Sequence, residues 1–541
     1  MGLPNPFPKI DEANQAFNPA IRLFGSRFFT DQTVVELLAE FMSVAFSEKW
    51  IGSNGPIKNP LPPLPELYRW ASVQGEKLKY KPPIKLNLKL FALLCASPLD
   101  SRHKVHEDHY EKLMKTFTEK VRTWSKKPEE VKEWVEDFLM GFQGAGFERT
   151  WCAQTFYPVT TSFLVQETLW NNTVAKNSPL TNWLEGVHKF HTYYSVSKHR
   201  FLARGGELLY LQLCNLFAGK GRDIASLAKA IDASPAEADL NLLHLSLQKG
   251  LQGLQNEQFV ALDKLVDYIE NLDPETHWKT NKEDDKLSCE WCPEDSWQEA
   301  YLFAVEISRV LRAALDPVER LELLQIGCAL QVMRSLCAQS IRYADLPITE
   351  GKGSVLGYAW VFSPLEGFTR QQRLATCHNL QMVFRLIQRA IHNEDLVKHA
   401  AKHRESQSSG PDWLLREAEN KYGHKLFRTL GKRLGIIGPW RGAEPRFILT
   451  DKLLRYLVLS VLAPGERYQY HQFRHRLYCQ YGIAVEGEEL LDAVVWSGLP
   501  ANSSVQPEKG SWLTQMLRAG GFLIELSDGC SIVHNPFSSQ F

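Results

Sequence analysis

The chain has 541 residues and a mass of 61.8 kDa, and its 62 Lys and Arg cancel its 62 Asp and Glu to a formal net charge of zero. With 44% hydrophobic and 23% charged residues it carries enough apolar material for packed cores, which excludes a disordered chain. Zero net charge also excludes a polyanion binder driven by its overall field, so any affinity for nucleic acid rests on local patches.

At roughly 100 to 200 residues per domain the length asks for three or four domains. The start, MGLPNPFPKIDEANQAF, lacks a basic segment followed by an apolar one, and no uninterrupted apolar run approaches the roughly 18 residues of a membrane span. Pro6 stands where a myristoylation pattern needs Ser or Thr. The ten cysteines are scattered, mostly in apolar company such as LLCAS, LQLCNLF and QIGCALQ, as reduced core thiols are. A soluble, cytoplasmic protein without membrane contact is the expectation. FFTDQTVVELLAEFMSVAF opens the first helix, with Thr30 or Asp31 as cap and Glu36 in the first turns. GSNGPIKNPLPPLPEL (52–67) is a proline-interrupted loop. Helical spacing returns from Leu86 to about Phe142, which defines an N-terminal helical domain over residues 1–150.

Residues 151–405 continue as a central helical domain, with runs such as GELLYLQLCNLF, SWQEAYLFAVEISRVLRAAL and VERLELLQIGCALQVMRSLCAQSI and almost no strand-like alternation. No anchor residues recur at the period of a solenoid. The polar stretch AKHRESQSSGPD (401–412) marks a boundary. Residues 406–541 hold a basic helix, then ILTDKLLRYLVLSVL, QYHQFRHRLYCQYGI, EGEELLDAVVWSGL and SWLTQMLRAGG. They end in FLIELSDGCSIVHN, where Ser527, Asp528 and Gly529 separate two β-rich runs. Helices followed by a terminal hairpin predict a winged-helix-like domain, so the fold class is mainly α, a multidomain helical protein.

HKLFRTLGKRLG (424–435) is the densest basic segment, and between Lys421 and Arg446 seven basic residues face one acid, Glu444. With Asp412 to Leu434 taken as one helix, Lys421, Lys425, Arg428 and Lys432 follow at four, three and four residues and stack in one stripe, with Arg433 beside it. Leu415, Tyr422, Leu426, Phe427, Leu430 and Leu434 take the opposite side. A line of cations above a buried face suits phosphates; a solvated face balanced by acids elsewhere in the fold is the competing reading. Gly423 and Gly431 each weaken such a helix by about 1 kcal/mol relative to Ala. The helix expected to read DNA, EGEELLDAVVWSGL, carries Glu486, Glu488, Glu489 and Asp492 without a cation, which suits protein contact better.

Two further segments mix cations and rings. HKFHTYYSVSKHRFLAR (188–204) interleaves Lys189, Lys198, Arg200 and Arg204 with Phe190, Tyr193, Tyr194 and Phe201, the requirements of single-strand binding, though core aromatics on a solvated helix give the same pattern. RWASVQGEKLKYKPPIKLNLK (69–89) sets six basic residues against Glu76. Cys289 and Cys292 have the C-x-x-C spacing of a shared zinc ion or a redox disulfide, but they supply half a zinc site, with no second pair at ribbon distance. From Asp263 to Glu299, twelve acids against four bases form a strip for solvent or a basic partner. His103, His106 and His109 recur at three-residue steps without the HExxH pattern, and GAGFERT and AGKGRD lack the P-loop pattern. No catalytic motif is present, and no cofactor is expected other than the option of zinc at Cys289 and Cys292.

RAGGFLIELSDGCSIVHNPF, with PRFILTDKLLRYLVLSVL and RGGELLYLQL, resembles uncharacterised helical proteins encoded in bacterial antiphage defence clusters beside ATPases, helicases or nucleases. That resemblance covers about 60 residues of the chain and implies a non-catalytic subunit of a multi-protein assembly. Three functions stay open: a scaffold or adaptor that touches DNA or RNA through its basic patches, a pure protein-interaction subunit, and a metal-dependent nuclease with a dispersed site.

Overall fold

The computed structural model describes residues 2–10, 17–81 (except 27, 29 and 31), 104–121, 127–140, 169–170, 177–178, 185, 194–195, 205–256, 260–272, 286–345, 351–366, 369–402, 411–500 (except 443), 505, 511–526 and 530–541. The chain enters through strand β1 (Pro6–Phe7) and helix α1 (Pro19–Phe24), begun by Asn18, whose Oδ1 accepts from the Ala20 and Ile21 amides. Helix α2 (Val34–Ala45) starts later than expected. Its cap is Thr33, whose hydroxyl accepts from Glu36 N at 3.3 Å while Glu36 Oε2 accepts from Thr33 N at 2.8 Å, so the reciprocal box forms three residues beyond Thr30. Strand β2 (Glu48–Ile51), helix α3 (Leu64–Ser72) and strand β3 (Leu78–Lys81) complete this part. Helix α4 (Lys104–Lys120) packs on α5 (Pro128–Met140), and β4 (Leu169–Trp170) pairs with β5 (Tyr194–Ser195).

Helix α6 (Gly205–Ala218) is buried along its whole length. Gly206 makes that position available: a Cβ there would collide with the backbone of Leu37 and Phe41 on α2, so only glycine lets the two helices approach. After α7 (Ile224–Ala230), α8 (Pro235–Ala238), α9 (Leu240–Asn256) and α10 (Val260–Glu270) come the short strands β6 (Leu287–Ser288) and β7 (Cys292–Pro293). Helix α11 (Trp297–Arg312) and helix α12 (Pro317–Tyr343) follow, the latter begun by Asp316 with proline in its first turn. Among the described residues α12 alone is long and apolar enough to cross a membrane, yet 89% of its apolar window is buried inside the protein, the burial of a core helix. It packs against α11, α2 and the next long helix, α13 (Arg370–Ile391).

Between α12 and α13 lies β8 (Trp360–Ser363), every residue buried. The sequence reading missed it, because a fully buried strand shows a continuous apolar run in place of alternation. After α14 (Glu394–Lys402) and α15 (Pro411–Glu417), the single helix expected from Asp412 to Leu434 is broken. Ala418–Tyr422 is a π-turn, Gly423 leaves the helical region at φ −98° and ψ −133°, and α16 (His424–Leu434) starts anew. Strands β9 (Ile437–Gly438) and β10 (Arg446–Ile448) lead to α17 (Asp451–Val461), β11 (Arg467–Gln469), α18 (Tyr470–Tyr481), β12 (Ile483–Ala484), α19 (Gly487–Trp496), α20 (Trp512–Ala519), β13 (Leu523–Glu525) and β14 (Ser531–His534).

The fold is mainly helical with small sheets at its seams. One sheet has the order β12-β8-β10-β9, parallel from β12 through β10 and antiparallel at β9; a second has the order β11-β14-β13, antiparallel throughout. Strand β8 therefore pairs with two strands from beyond residue 406, and β1–β7 and β2–β3–β6 join residues before 150 to residues near 290. Buried ion pairs cross the same lines. Arg309 grips Glu237 through Nε and Nη2, both at 2.8 Å, and its Nη1 donates to the Ser460 and Val461 carbonyls at the end of α17. Arg334 pairs with Glu306, which also accepts from Gln480 on α18 at 2.8 Å, while Gln331 links Arg334 to Gln212 on α6.

Candidate nucleic-acid interface

The apolar side of α16 decides where its cations point. Leu426, Phe427 and Leu430 are buried against α12, α13 and the β8 sheet, with the Phe427 ring 6.0 Å from Trp360 and 6.3 Å from Phe447, so the opposite face is forced outward. Lys425 and Arg428 are exposed there and Lys432 is half-buried. Lys425 Nζ donates to Asn420 Oδ1 and Lys432 Nζ to the Trp440 carbonyl at 2.8 Å, while among the described residues none of the three is paired with a carboxylate. Burial holds the His424 imidazole below its usual range, so the first turn of the helix adds no further charge near neutrality.

Two of the expected stripe residues have other work. Lys421 sits on the π-turn and pairs with Glu417 at 3.0 Å, which neutralises it. Arg433 turns to the N-terminal segment, donating through Nη1 to the Gln32 carbonyl at 2.7 Å, and the Thr30 amide donates to Lys421 O at 2.9 Å. Arg433 is thereby a strap that holds the lead-in to α2, a partner 401 residues away that no local pattern reveals. In exchange the structure adds residues the sequence reading passed over. Trp413 on α15 and Trp440 and Arg441 in the β9–β10 connection are exposed at the two ends of the stripe. Their only signal in the sequence is large aromatics in polar or Gly-Pro surroundings, PDW and GPWRG.

The second basic segment, with Lys189, Lys198, Arg200 and Arg204, lies outside the described residues apart from the Tyr194–Ser195 strand. Of the third, Arg69 pairs with Glu76 at 3.1 Å and Lys77 with Glu290 at 2.8 Å, Lys79 and Lys81 point outward from β3, and 82–89 lie outside the described residues. The acidic helix α19 does not present its charges as the sequence suggests. Glu486 and Glu489 meet Arg474 on α18, at 3.2 and 3.7 Å, and Asp492 accepts from the Lys352 and Gly353 amides, so of the four acids only Glu488 is fully exposed. In the acidic strip, Glu299 pairs with Arg342 at 2.7 Å and Asp295 accepts from Gln339 and Tyr343; residues 273–285 lie outside the described residues.

Cys289 and Cys292 are both buried and neither forms a disulfide among the described residues, and burial pushes the Cys292 thiol far above the usual thiol range. Among the described residues no three His, Cys, Asp or Glu stand together as metal ligands, so the pair remains two ligands of a tetrahedral four. His106 and His109 lie on α4, their side chains outside the described residues, as is His103. One alignment resembles catalytic machinery: Cys479 Sγ stands 3.4 Å from His475 Nε2, and His475 Nδ1 stands 3.5 Å from Glu489 Oε1. Burial and the Glu489 carboxylate push that thiol up to about 11, the reverse of what activates a cysteine nucleophile. A cleft of about 700 Å³ beside α13, lined by Leu374, Cys377, His378, Gln381, Glu444 and Leu499, is open and mostly apolar, and its imidazole is engaged by the Ser497 carbonyl at 2.9 Å. No protein-family model, no curated protein and no solved structure matches the chain.

Proposed function

We propose that this protein is a non-catalytic, mainly helical scaffold or adaptor of a multi-protein bacterial antiphage defence complex, and that it contacts DNA or RNA through α16. The observation that carries the reading is the row Lys425, Arg428 and Lys432 on an outward face, free of carboxylate partners among the described residues, on a helix whose other face is anchored in the core. Cations held at helical spacing by a rigid scaffold displace counterions from phosphates without having to be ordered first. The partners in this reading are an ATPase, helicase or nuclease that supplies the chemistry, and the compartment is the cytoplasm. A winged-helix-like reading of the last ninety residues is supported by the order of α17, β11, α18, α20 and the β13–β14 hairpin, with β11 closing the sheet on β14. In that reading β12 and α19 are inserted before the helix that adjoins the hairpin, and the wing is a surface for protein partners.

The test is fluorescence anisotropy of labelled DNA and RNA, single- and double-stranded, over a salt series. The wild type binds with an affinity that falls steeply with salt. The variant Lys425→Glu/Arg428→Glu/Lys432→Glu loses binding and flattens the dependence of log affinity on log salt by about 2 for single strands. Absence of binding by the wild type removes this contact from the function. A protein-only subunit is the second reading, favoured by the exposed Leu242 and Leu245 three residues apart on α9.

A further inference from the structure

We propose that the α16 surface selects single-stranded over duplex nucleic acid, with Trp413 and Trp440 as stacking platforms at the two ends of its cation row. This rests on the nucleic-acid reading above and adds to it the class of ligand. The two indoles are 55% and 59% exposed, in a protein that buries Trp70, Trp291 and Trp360 almost completely. An indole left this open forgoes most of the hydrophobic gain of burial, and it stays available to stack against another flat ring.

Their placement is continuous with the cations. Trp413 and Glu417 are one helical turn apart on α15, and Glu417 bonds Lys421 at 3.0 Å, which sets Trp413 beside the π-turn that leads into the row. Lys425 reaches back across the break at Gly423 to Asn420, which joins the π-turn to α16 along the same surface. At the far end, Lys432 Nζ donates to the carbonyl of Trp440 itself at 2.8 Å, and Arg441 is exposed beside it. At 1.5 Å per residue, Lys425 to Lys432 spans about 10 Å along α16, the reach of a few nucleotides. Three acids near this surface are occupied, Glu417 with Lys421, Glu419 with His392 and Glu444 with Arg373, while Asp412 beside Trp413 is exposed.

Base faces decide the selectivity. In a duplex every face is covered by its neighbour in the stack, so the indoles have only phosphates and sugars to meet. In a single strand a base turns its face to a ring, and such stacking tolerates any sequence. The cations supply phosphate contact to both forms, and the tryptophans add affinity to only one.

The experiment measures full-length protein against one labelled single-stranded oligonucleotide and the same oligonucleotide annealed to its complement. It is run with the wild type, Trp413→Ala/Trp440→Ala, Trp413→Phe/Trp440→Phe and the triple Glu variant. The expected result is tighter binding of the single strand by wild type. The Ala pair loses roughly fivefold to a hundredfold per tryptophan on the single strand only, with the salt slope kept, and the Phe pair recovers much of it. Equal binding of both forms, unmoved by the Ala pair but abolished by the triple Glu variant, overturns the single-strand inference and leaves the phosphate contact standing. No binding of either form by wild type overturns both. Circular dichroism of the Ala pair is expected to match wild type, since neither indole is part of the core.

Discussion

Around α8, α11 and α17 buried carboxylates meet buried guanidiniums; around α2 and β2 buried charges are held by backbone and amide groups. Burial alone would raise the Glu237 carboxyl, but the two-point hydrogen bonds and charge of Arg309 hold it down at about 2. Among the described residues Glu40 has no such partner. Its stem is partly exposed, but Oε1 is buried without a hydrogen bond among the described residues, and Oε2 accepts from Gln32 and from Gly206 N at 3.0 Å. Burial raises this carboxyl to about 8. Lys49 is fully buried, with Nζ donating to the Val44, Ala45 and Ser47 carbonyls at the end of α2, and burial lowers it to about 7. The difference teaches that an ion pair keeps both charges inside a core, whereas backbone dipoles alone leave a buried group close to losing its charge.

The comparison breaks most visibly at the paired end. Glu237→Gln leaves Arg309 charged and uncompensated in the core, and the expected loss is about 3 to 5 kcal/mol in urea unfolding. Glu237→Leu combined with Arg309→Met recovers part of it, since the Arg309 charge is gone while Arg312, which donates to Glu237 Oε1 at 3.1 Å, loses its carboxylate. A loss under about 1 kcal/mol for Glu237→Gln would mean that water reaches the pair. Because the folded carboxyl lies below its unfolded value, this contribution is complete above about pH 4.5 and disappears as pH falls through about 2.

At the unpaired end the effects depend on pH and have opposite signs. Glu40 keeps its proton in the folded state up to about pH 8 while the unfolded chain loses it near 4.5. Stability therefore falls across that window by at most about 1.4 kcal/mol per pH unit, and Glu40→Gln abolishes the fall. Folded Lys49 sheds its proton near pH 7 while the unfolded chain keeps it to 10.5, so its contribution rises with pH between those values. Lys49→Met removes that rise, read from unfolding midpoints at successive pH values. A pH profile unchanged in both variants would show that α2 and β2 open to water. The smallest effect is expected at the surface. Lys452 and Glu322 stand 3.1 Å apart with both side chains more than half exposed, and Lys452→Ala leaves the midpoint where it was.

How much of this was legible depends on the distance over which each feature is decided. The long helices were, because their apolar spacing is a local property, and so was the pairing of Leu523–Glu525 with Ser531–His534, where a short connection joins two β-rich runs. The cation row was legible in Lys425, Arg428 and Lys432, whose spacing survives within one helix. It was misread at Lys421 and Arg433, whose partners are Glu417 in a π-turn and the Gln32 carbonyl of a distant segment. Trp413 and Trp440 were passed over because an aromatic residue is read by default as core.

By itself the sequence determined the helical class, the neutral overall charge and a basic α16, since composition and periodicity act within a few residues. Tertiary structure alone decided which charges pair, that β8 joins β10 and β12 into one sheet, and which tryptophans stay outside. The physical reason is that burial and ion pairing are set by neighbours brought together from across the chain, as Glu237, Arg309 and Ser460 are, and no local pattern encodes that meeting.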